Sequence, residues 1–431
     1  MMPTVYDFAY AAALPLALPV LLHRRLAHGK YRESLPGMFG RGLGAEDPAR
    51  WRDGCVWVHA VSVGEVVAAQ AMLPLLRERF SALPLLLTTV TETGQAQARR
   101  LPEGLTDAVR YFPADFSHVV RRFLATFKPR VFVTMETELW PNVLTLLGAA
   151  GTKAFVFNGK VGERSYKRYR LVAPVLRAPL RQVRAYCMQT PADAARISEL
   201  CGDASRVFVT GNCKFDNAGR ALAPGEAAAL RGMCGLTGTE RVIVVGSTHP
   251  GEEPIVFGAF EELRRSCPNV VLILAPRHPE RFDAVWALAQ QRGLDGRRLS
   301  NDAKSSTFVR PGQWVLVDRM GVLASLYGIA DVAVVAGSFV PGIGGHNLLE
   351  AAVHGIPVVF GPFAGNQPDM VRILCEGRGG VQVDPPRLCQ VLSTLLSDDA
   401  ERVRLGAAAR AAVLDNTGSA RRNMEIMERF L

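Results

Sequence analysis

Short apolar runs recur along this chain at the spacing of strand–helix units. In the first half they are Val56–Ala60, Leu85–Thr89, Val109–Phe112, Val131–Met135, Ala154–Phe157, Ala185–Gln189 and Val207–Thr210. In the second half they are Val242–Gly246, Val270–Ala275, Trp314–Val317, Val332–Ala336 and Val358–Phe360. Most are continuously apolar rather than alternating, and helical patterns such as Val66–Arg79 and Glu253–Arg265 lie between them. That combination predicts α/β architecture, with parallel sheets covered by helices on both faces. The polar stretch 217–226, NAGRALAPGE, carries Gly and Pro and reads as an interdomain linker. The expected division is therefore a first Rossmann-like domain over 31–216 and a second over 227–405. The amphipathic end of the chain, from about Ala400 and chiefly 406–431, is expected to pack back towards the first.

The two halves echo each other. Each opens with an apolar strand, a Ser/Gly turn and an acid-bearing helix start: HAVSVGEV at 59–66 and VGSTHPGEE at 245–253. Ligands of open parallel sheets bind at the carboxyl ends of the strands. Two such domains face to face predict a central cleft with one ligand on each side.

The N-terminus adds a different pattern. It is apolar from Ala9 to Leu22, between Asp7 and the basic group His23-Arg24-Arg25. A secretory signal places its positive charges before the apolar run, so this is not one. The run is short of the roughly 20 residues of a spanning helix. Residues 1–30 read as a membrane anchor, either a short tilted span or an in-plane helix with its basic flank on the cytoplasmic side. The plainer alternative is a buried N-terminal helix.

Composition narrows the partners. With 431 residues and 48% hydrophobic content the chain can build two cores. A formal charge of +10 favours anionic partners. The charge concentrates between Lys160 and Arg184, where eight Lys/Arg, including Arg164, Lys167 and Arg168, meet the single acid Glu163. No nucleic-acid module accompanies them, so a phosphorylated lipid or membrane surface fits, with a solvated helix face as the alternative. The eight cysteines are scattered, without CxxC or metal-ligand spacing, as expected of reduced thiols in a cytosolic protein with no zinc site.

The most informative segment is Gly337 to Pro362, GSFVPGIGGHNLLEAAVHGIPVVFGP. A strand leads into Ser338, Gly342, Gly344 and Gly345, then Asn347, Leu348, Leu349 and Glu350 open a helix. Glycines let backbone N–H groups approach an anion, a helix start adds partial positive charge, and Glu350 is placed to accept from a ribose. Asn347 as N-cap with Glu350 closing a capping box explains the same letters. Other polar groups also follow apolar strands. Ser62-Val63-Gly64-Glu65 offers a carboxylate to an attacking hydroxyl, or a capping box. Glu136 and Glu138 follow the fourth strand; Glu136 is the one expected in the cleft. Lys214 precedes the linker, where it either neutralises an anionic donor or pairs with Asp216. Ser247-Thr248 makes a phosphate site or a cap, Pro276-Arg277 offers a fork-shaped cation, and Met320-Gly321-Val322 offers backbone groups to a base.

Taken together, these motifs carry a resemblance. HAVSVGE, TTVTETG, METELWPN, GNCKFD, GSTHPGEE, PRHPERF, LYGIADVAVVAGS and GGHNLLEAA make the chain similar, almost end to end, to the 3-deoxy-D-manno-octulosonic acid (Kdo) transferases of lipopolysaccharide synthesis. The resemblance implies a GT-B fold and an inverting transfer of Kdo from CMP-Kdo to a phosphorylated lipid A precursor. It implies the cytoplasmic face of the inner membrane, no metal and no other cofactor. By match, Glu65 is the general base, and Glu136 and Lys214 support the transition state. Pro276-Arg277, Met320–Val322 and Asn347–Glu350 bind CMP. The chain departs from the family's usual residues at Val322, Leu348, Phe363 and Asn158-Gly159-Lys160, and the loop Phe339–Ile343 is slightly longer.

Overall fold

A computed structural model of the chain describes residues 4–12, 15, 19, 23, 31–300 and 308–431. The chain forms two compact units, one of residues 1–217 with 416–431, the other of residues 218–415. Each is built on one seven-stranded sheet whose paired strands are all parallel.

In the first unit the strands are β1 (Cys55–His59), β2 (Leu85–Thr89), β3 (Ala108–Tyr111), β4 (Pro129–Met135), β5 (Lys153–Gly159), β6 (Val183–Met188) and β7 (Val207–Val209). Their order is β3-β2-β1-β4-β5-β6-β7. The chain winds outwards from β1 to β3, then crosses back to β4, so β1 and β4 flank the point where the winding reverses. Residues of β1 alternate between two cores. Cys55 and Trp57 face a cluster with Phe112, Phe123 and Phe132. Val56, Val58 and Ala60 face another with Ala69, Met72 and Met427. Burial on both faces is why the run reads as continuously apolar. Trp57 touches three aromatic rings, with centroids 4.5–5.5 Å away, so truncation to Ala is expected to destabilise this unit by about 3–5 kcal/mol.

The second unit contains β8 (Arg241–Thr248), β9 (Val270–Pro276), β10 (Gly296–Arg298), β11 (Trp314–Leu316), β12 (Val332–Val335), β13 (Val358–Phe360) and β14 (Gly380–Gln382). Their order is β10-β11-β9-β8-β12-β13-β14, with the reversal between β8 and β12. Both outer strands, β10 and β14, were invisible to the apolar pattern. Each has three residues, and an edge strand pairs on one side only, so its backbone and not its side chains places it.

Other boundaries also differ from the expectations. The helix expected over Val66–Arg79 is two, Val63–Gln70 and Leu73–Arg79. Pro74 lies in the first turn of the second, where its missing N–H is harmless, whereas within one continuous helix it would clash with the carbonyl four residues back. The units divide after Asn217, and the helix Pro224–Met233 starts inside the stretch expected to be linker. The chain returns to the first unit at 415/416 rather than near 406. The helix Asp399–Leu414 belongs to the second unit, and Ser419–Phe430 packs Met424, Ile426 and Met427 into the first. Asp216 fastens that return by accepting from the N–H groups of Gly418 and Ala420, so it is not the partner of Lys214.

Most of the expected anchor over 1–30 lies outside the described residues. Among the described residues no helix is long and apolar enough to cross a membrane. Residues 5–12 are helical and bond to the first unit. Asp7 accepts from the Ser117 N–H (2.8 Å) and the Asn142 amide (3.1 Å), and Tyr10 donates to Asp115 (2.7 Å).

Candidate active site

Both sheets gather their polar residues at the carboxyl ends of the strands beside the winding reversal, where ligands of such sheets bind. In the first unit, Val61 and Ser62 follow β1 and the helix Val63–Gln70 follows them. Glu65 is buried, only 7% exposed. Its carboxylate accepts from the Val61 N–H at 2.7 Å and from the Ser62 hydroxyl at 3.3 Å. This is not a capping box: the acid reaches past the N-cap Ser62 to the N–H of the residue before it, and Ser62 makes no side-chain cap and points its hydroxyl at the acid. Burial pushes the Glu65 pKa up to about 8; the Val61 N–H opposes this, and Glu136 and Glu138 add to it. Burial, with Glu136 behind it, likewise pushes Glu138 up to about 7. Three carboxylates therefore share one neighbourhood.

Glu136 follows β4 in the left-handed backbone region, with φ of 57°. Its N–H donates to Phe157 O at 2.8 Å, so a hydrogen bond holds this sparsely populated conformation. Because of this turn the extended backbone of β4 does not continue through Glu136 to Glu138. Neither caps the next helix, Pro141–Ala149. Asp115 does so, accepting from the N–H groups of Asn142 (3.1 Å) and Val143 (2.8 Å).

Lys214 supplies the cation, with its ammonium 3.6 Å from Glu136. A half-exposed pair this long is worth about 1 kcal/mol or less, so stability does not explain it. The Lys214 loop is positioned by Asn158, a fully buried residue at φ 55°. The Asn158 side chain accepts from the Cys213 N–H at 2.9 Å, and its carbonyl accepts from the Gln189 amide at 2.9 Å. Sequence reading missed this hub; Asn directly after an apolar strand was its only signal. A side chain at Gly64 would meet just the Lys214 ammonium, at 3.8 Å, so that glycine keeps open the space between the Glu65 helix and Lys214.

In the same unit the helix Glu163–Leu180 exposes Arg164, Lys167 and Arg168, with Lys167 paired to Glu163 at 2.7 Å. It also exposes Leu171 (84%), Val172 and Val175. Lys160 is exposed, and its N–H donates to the Thr137 hydroxyl at 2.9 Å, between the two acids.

In the second unit the β8 turn and the glycine loop after β12 interlock. Glu252, in the first turn after β8, is completely buried. It accepts from the N–H groups of His249 (2.9 Å), Gly337 (2.8 Å) and Phe339 (2.9 Å). The His249 and His346 rings stack with centroids 5.0 Å apart and Nε2 atoms 2.8 Å apart, and His278 meets His249 edge-on. A separation of 2.8 Å requires one N–H between two ring nitrogens, so one histidine donates and the other accepts. Burial pushes the His346 pKa down to about 4, with His249, Arg277 and His278 adding to the shift.

The remaining expected nucleotide residues divide into two groups. Arg277 is exposed, and its guanidinium has no ion pair among the described residues. The N–H groups of His346, Asn347 and Leu348 likewise have no hydrogen-bond partner among the described residues. Met320 is exposed, Gly321 has φ 83°, and Ser247 has φ 62°. Glu350 bonds to the Asn347 amide at 3.1 Å, and burial pushes its pKa up, against Asn347 and Arg277. These groups are available to a ligand.

The second group serves the fold. Ser338 donates to Val335 O and accepts from the Gly361 N–H, 2.7 and 2.8 Å, so its hydroxyl ties β12 to β13. Thr248, Pro276, Leu348 and Leu349 have buried side chains. The Gly345 N–H donates to Gly337 O. A Cβ on Gly344 would lie 2.2 Å from the Asn366 amide, and one on Gly345 would lie 2.9 Å from Ala364, so protein and not ligand fills the space these glycines leave. The helix carrying Glu350 has four residues, Leu349–Ala352, and Asn347 caps it by accepting from the Leu349 N–H at 3.1 Å. A full capping box does not form, since Glu350 binds the Asn347 side chain instead of its N–H.

Comparison with known proteins fits this arrangement. A family model described as 3-deoxy-D-manno-octulosonic-acid transferase (kdotransferase) matches residues 33–217. The 3-deoxy-D-manno-octulosonic acid transferase of Bordetella pertussis is 34% identical, over 99% of this chain and 99% of that protein. The chain belongs to the Kdo transferase family. A second member of the family, from Haemophilus influenzae, is 30% identical over 99% of both chains. The fold also matches the solved UDP-GlcNAc 2-epimerase of Neisseria meningitidis, with a TM-score of 0.55 over 87% of this chain and 99% of that one. At 11% identity that likeness extends to the fold alone. The chain is thus a glycosyltransferase of that family, built from two parallel-sheet α/β units.

Proposed function

We propose that this Kdo transferase uses CMP-Kdo as donor and a phosphorylated lipid A precursor, lipid IVA, as acceptor, working with inversion at the cytoplasmic face of the inner membrane. Glu65 takes the proton from the acceptor hydroxyl. That oxygen attacks the anomeric carbon of Kdo, and the bond to CMP breaks on the opposite face. Lys214, oriented by Glu136, faces the carboxylate that Kdo carries. Arg277 and the N–H groups of His346, Asn347 and Leu348 receive the cytidylate phosphate, Glu350 the ribose, and Met320–Val322 the base. The scheme is that of a GT-B glycosyltransferase, in which each unit binds its ligand at the carboxyl ends of its own strands. With arginine and backbone donors at the leaving phosphate, the scheme includes no metal or other cofactor. The exposed basic and apolar residues of the helix Glu163–Leu180, together with the segment 1–30, hold the enzyme to the membrane.

The observation that carries this reading is Glu65: a carboxyl beside the winding reversal, pushed up to about 8, with Glu136 close enough to act on it and Lys214 paired to Glu136. A buried carboxyl of raised pKa is a stronger base once ionised. The test is incubation with CMP-Kdo and tetraacylated lipid A precursor, with mass analysis of the product. The proposal expects a Kdo adduct from the natural chain, none from Glu65→Gln, and CMP binding nearly unchanged in that variant. Retained turnover in Glu65→Gln would remove Glu65 from its role.

A further inference from the structure

Far along the first sheet from β4, at the β3 edge, lies a cavity of about 370 Å³ that the scheme above does not use. This lies within the roughly 300–1,000 Å³ of small-molecule sites. Its walls come from the segment before β1, from the helix Glu92–Ala98 with Arg99 just beyond it, and from β3. Four arginines line it, Arg32, Arg41, Arg99 and Arg110, against the single acid Glu33. Arg110 is neutralised by Glu46. Arg32, Arg41 and Arg99 are exposed and have no ion pair among the described residues. Tyr111 also lines the cavity, and its hydroxyl is sealed from solvent without a hydrogen-bond partner among the described residues. Burial pushes the Tyr111 pKa up, helped by Glu33 and Glu92 and opposed by Arg99.

Unpaired guanidinium groups around one concave space repel one another, and an anion relieves that repulsion. Each offers a planar fork of donors. Three forks exceed what one carboxylate can accept, whereas the three terminal oxygens of a phosphate monoester match them. We propose that this cavity is a binding site for a phosphate monoester, held by Arg32, Arg41 and Arg99. The site is joined to the Glu65 turn. Gly94, on the helix that forms the cavity wall, is packed so closely that a Cβ there would lie 3.1 Å from Val61 O. The phosphate has two possible sources, a lipid head group or a soluble phosphorylated compound; only the first rests on the acceptor reading above.

The test uses the full chain with saturating CMP, which occupies the nucleotide site. Phenylglyoxal labels accessible arginines, and peptide mass analysis reports each one. Inorganic phosphate, phosphatidylcholine vesicles containing phosphatidic acid, and phosphatidylcholine vesicles alone are compared. The expected result is that phosphate, the phosphatidic acid vesicles, or both slow labelling of Arg32, Arg41 and Arg99 together, and that plain vesicles do not. Protection by the vesicles alone assigns a lipid head group; protection by phosphate alone assigns a soluble ligand. Arg99→Gln is expected to weaken the protection of Arg32 and Arg41 about tenfold, with Arg99→Lys intermediate. Equal labelling under every condition, or protection that ignores Arg99→Gln in a variant of native circular dichroism, overturns the site. Because the readout is labelling and not turnover, that outcome leaves the Kdo transfer reading standing.

Discussion

After β1 the chain turns through Val61 and Ser62, and Glu65 reaches back to the Val61 N–H. After β8 it turns through His249, and Glu252 reaches back to the His249 N–H. The two turns occupy the same place in their sheets, yet their acids live differently. Glu252 is fully buried and takes three backbone N–H groups at 2.8–2.9 Å, two of them from the glycine loop. Glu65 takes one N–H and a long hydroxyl bond, and burial, with two further carboxylates adding to it, raises its pKa. A buried carboxylate with enough donors becomes a structural post. One left short of donors, among like charges, becomes a group poised to exchange a proton.

The largest effect that can break this contrast is on turnover. Glu65→Gln is expected to lower transfer by about a thousandfold, within the range of general-base loss, without loss of stability. Single-turnover product formation checks it. Lys214→Met is expected to lower turnover by about a hundredfold, the scale of one lost charge stabiliser, again with little change in stability given the weak ion pair. Glu252→Gln should do the opposite. It puts an amide NH2 against backbone donors, and is expected to destabilise the second unit by about 3 kcal/mol and to loosen CMP binding, measured by denaturant titration and calorimetry. Thus Glu65→Gln and Glu252→Gln should separate cleanly into activity and stability.

Smaller effects sharpen the comparison. The pKa of Glu65 rises from 4.5 to about 8 on folding, so the folded chain holds this proton more tightly than the unfolded one across that window. The contribution of Glu65 to stability is therefore fully present below about pH 4.5 and is lost as pH rises towards 8. Glu65→Gln should lose this slope, so it gains stability relative to the natural chain as pH climbs. Smallest is Ser338→Ala. It removes the tie between β12 and β13 and is expected to destabilise by about 1 kcal/mol, without an effect on the chemical step, seen as a shifted denaturant midpoint.

The inner strands were legible because both faces are buried and their side chains say so. β10 (Gly296–Arg298) and β14 (Gly380–Gln382) were not, because their side chains carry little signal. Glu65, Glu136 and Lys214 were legible as polar residues following apolar strands. Their grouping was not, since it depends on the left-handed turn at Glu136 and on Asn158 holding the Lys214 loop. The glycine loop was read partly for the wrong reason. Gly344 and Gly345 make room for Asn366 and Ala364, and Ser338 serves the sheet, while the open donors are the N–H groups of His346, Asn347 and Leu348. Glycine spacing marks close approach without saying what approaches. The His249–His346 contact, across 97 positions, had no local signal at all.

The central claim is that Glu65 is the group whose ionisation licenses transfer. A carbon-13 titration of the Glu65 carboxyl, assigned by its loss in Glu65→Gln, measured alongside kcat/KM over the same pH series, tests it most directly. The carboxyl resonance and the rate are predicted to rise with one shared midpoint near 8. A Glu65 that is already ionised at about pH 5, or a rate profile that ignores its midpoint, would contradict the account.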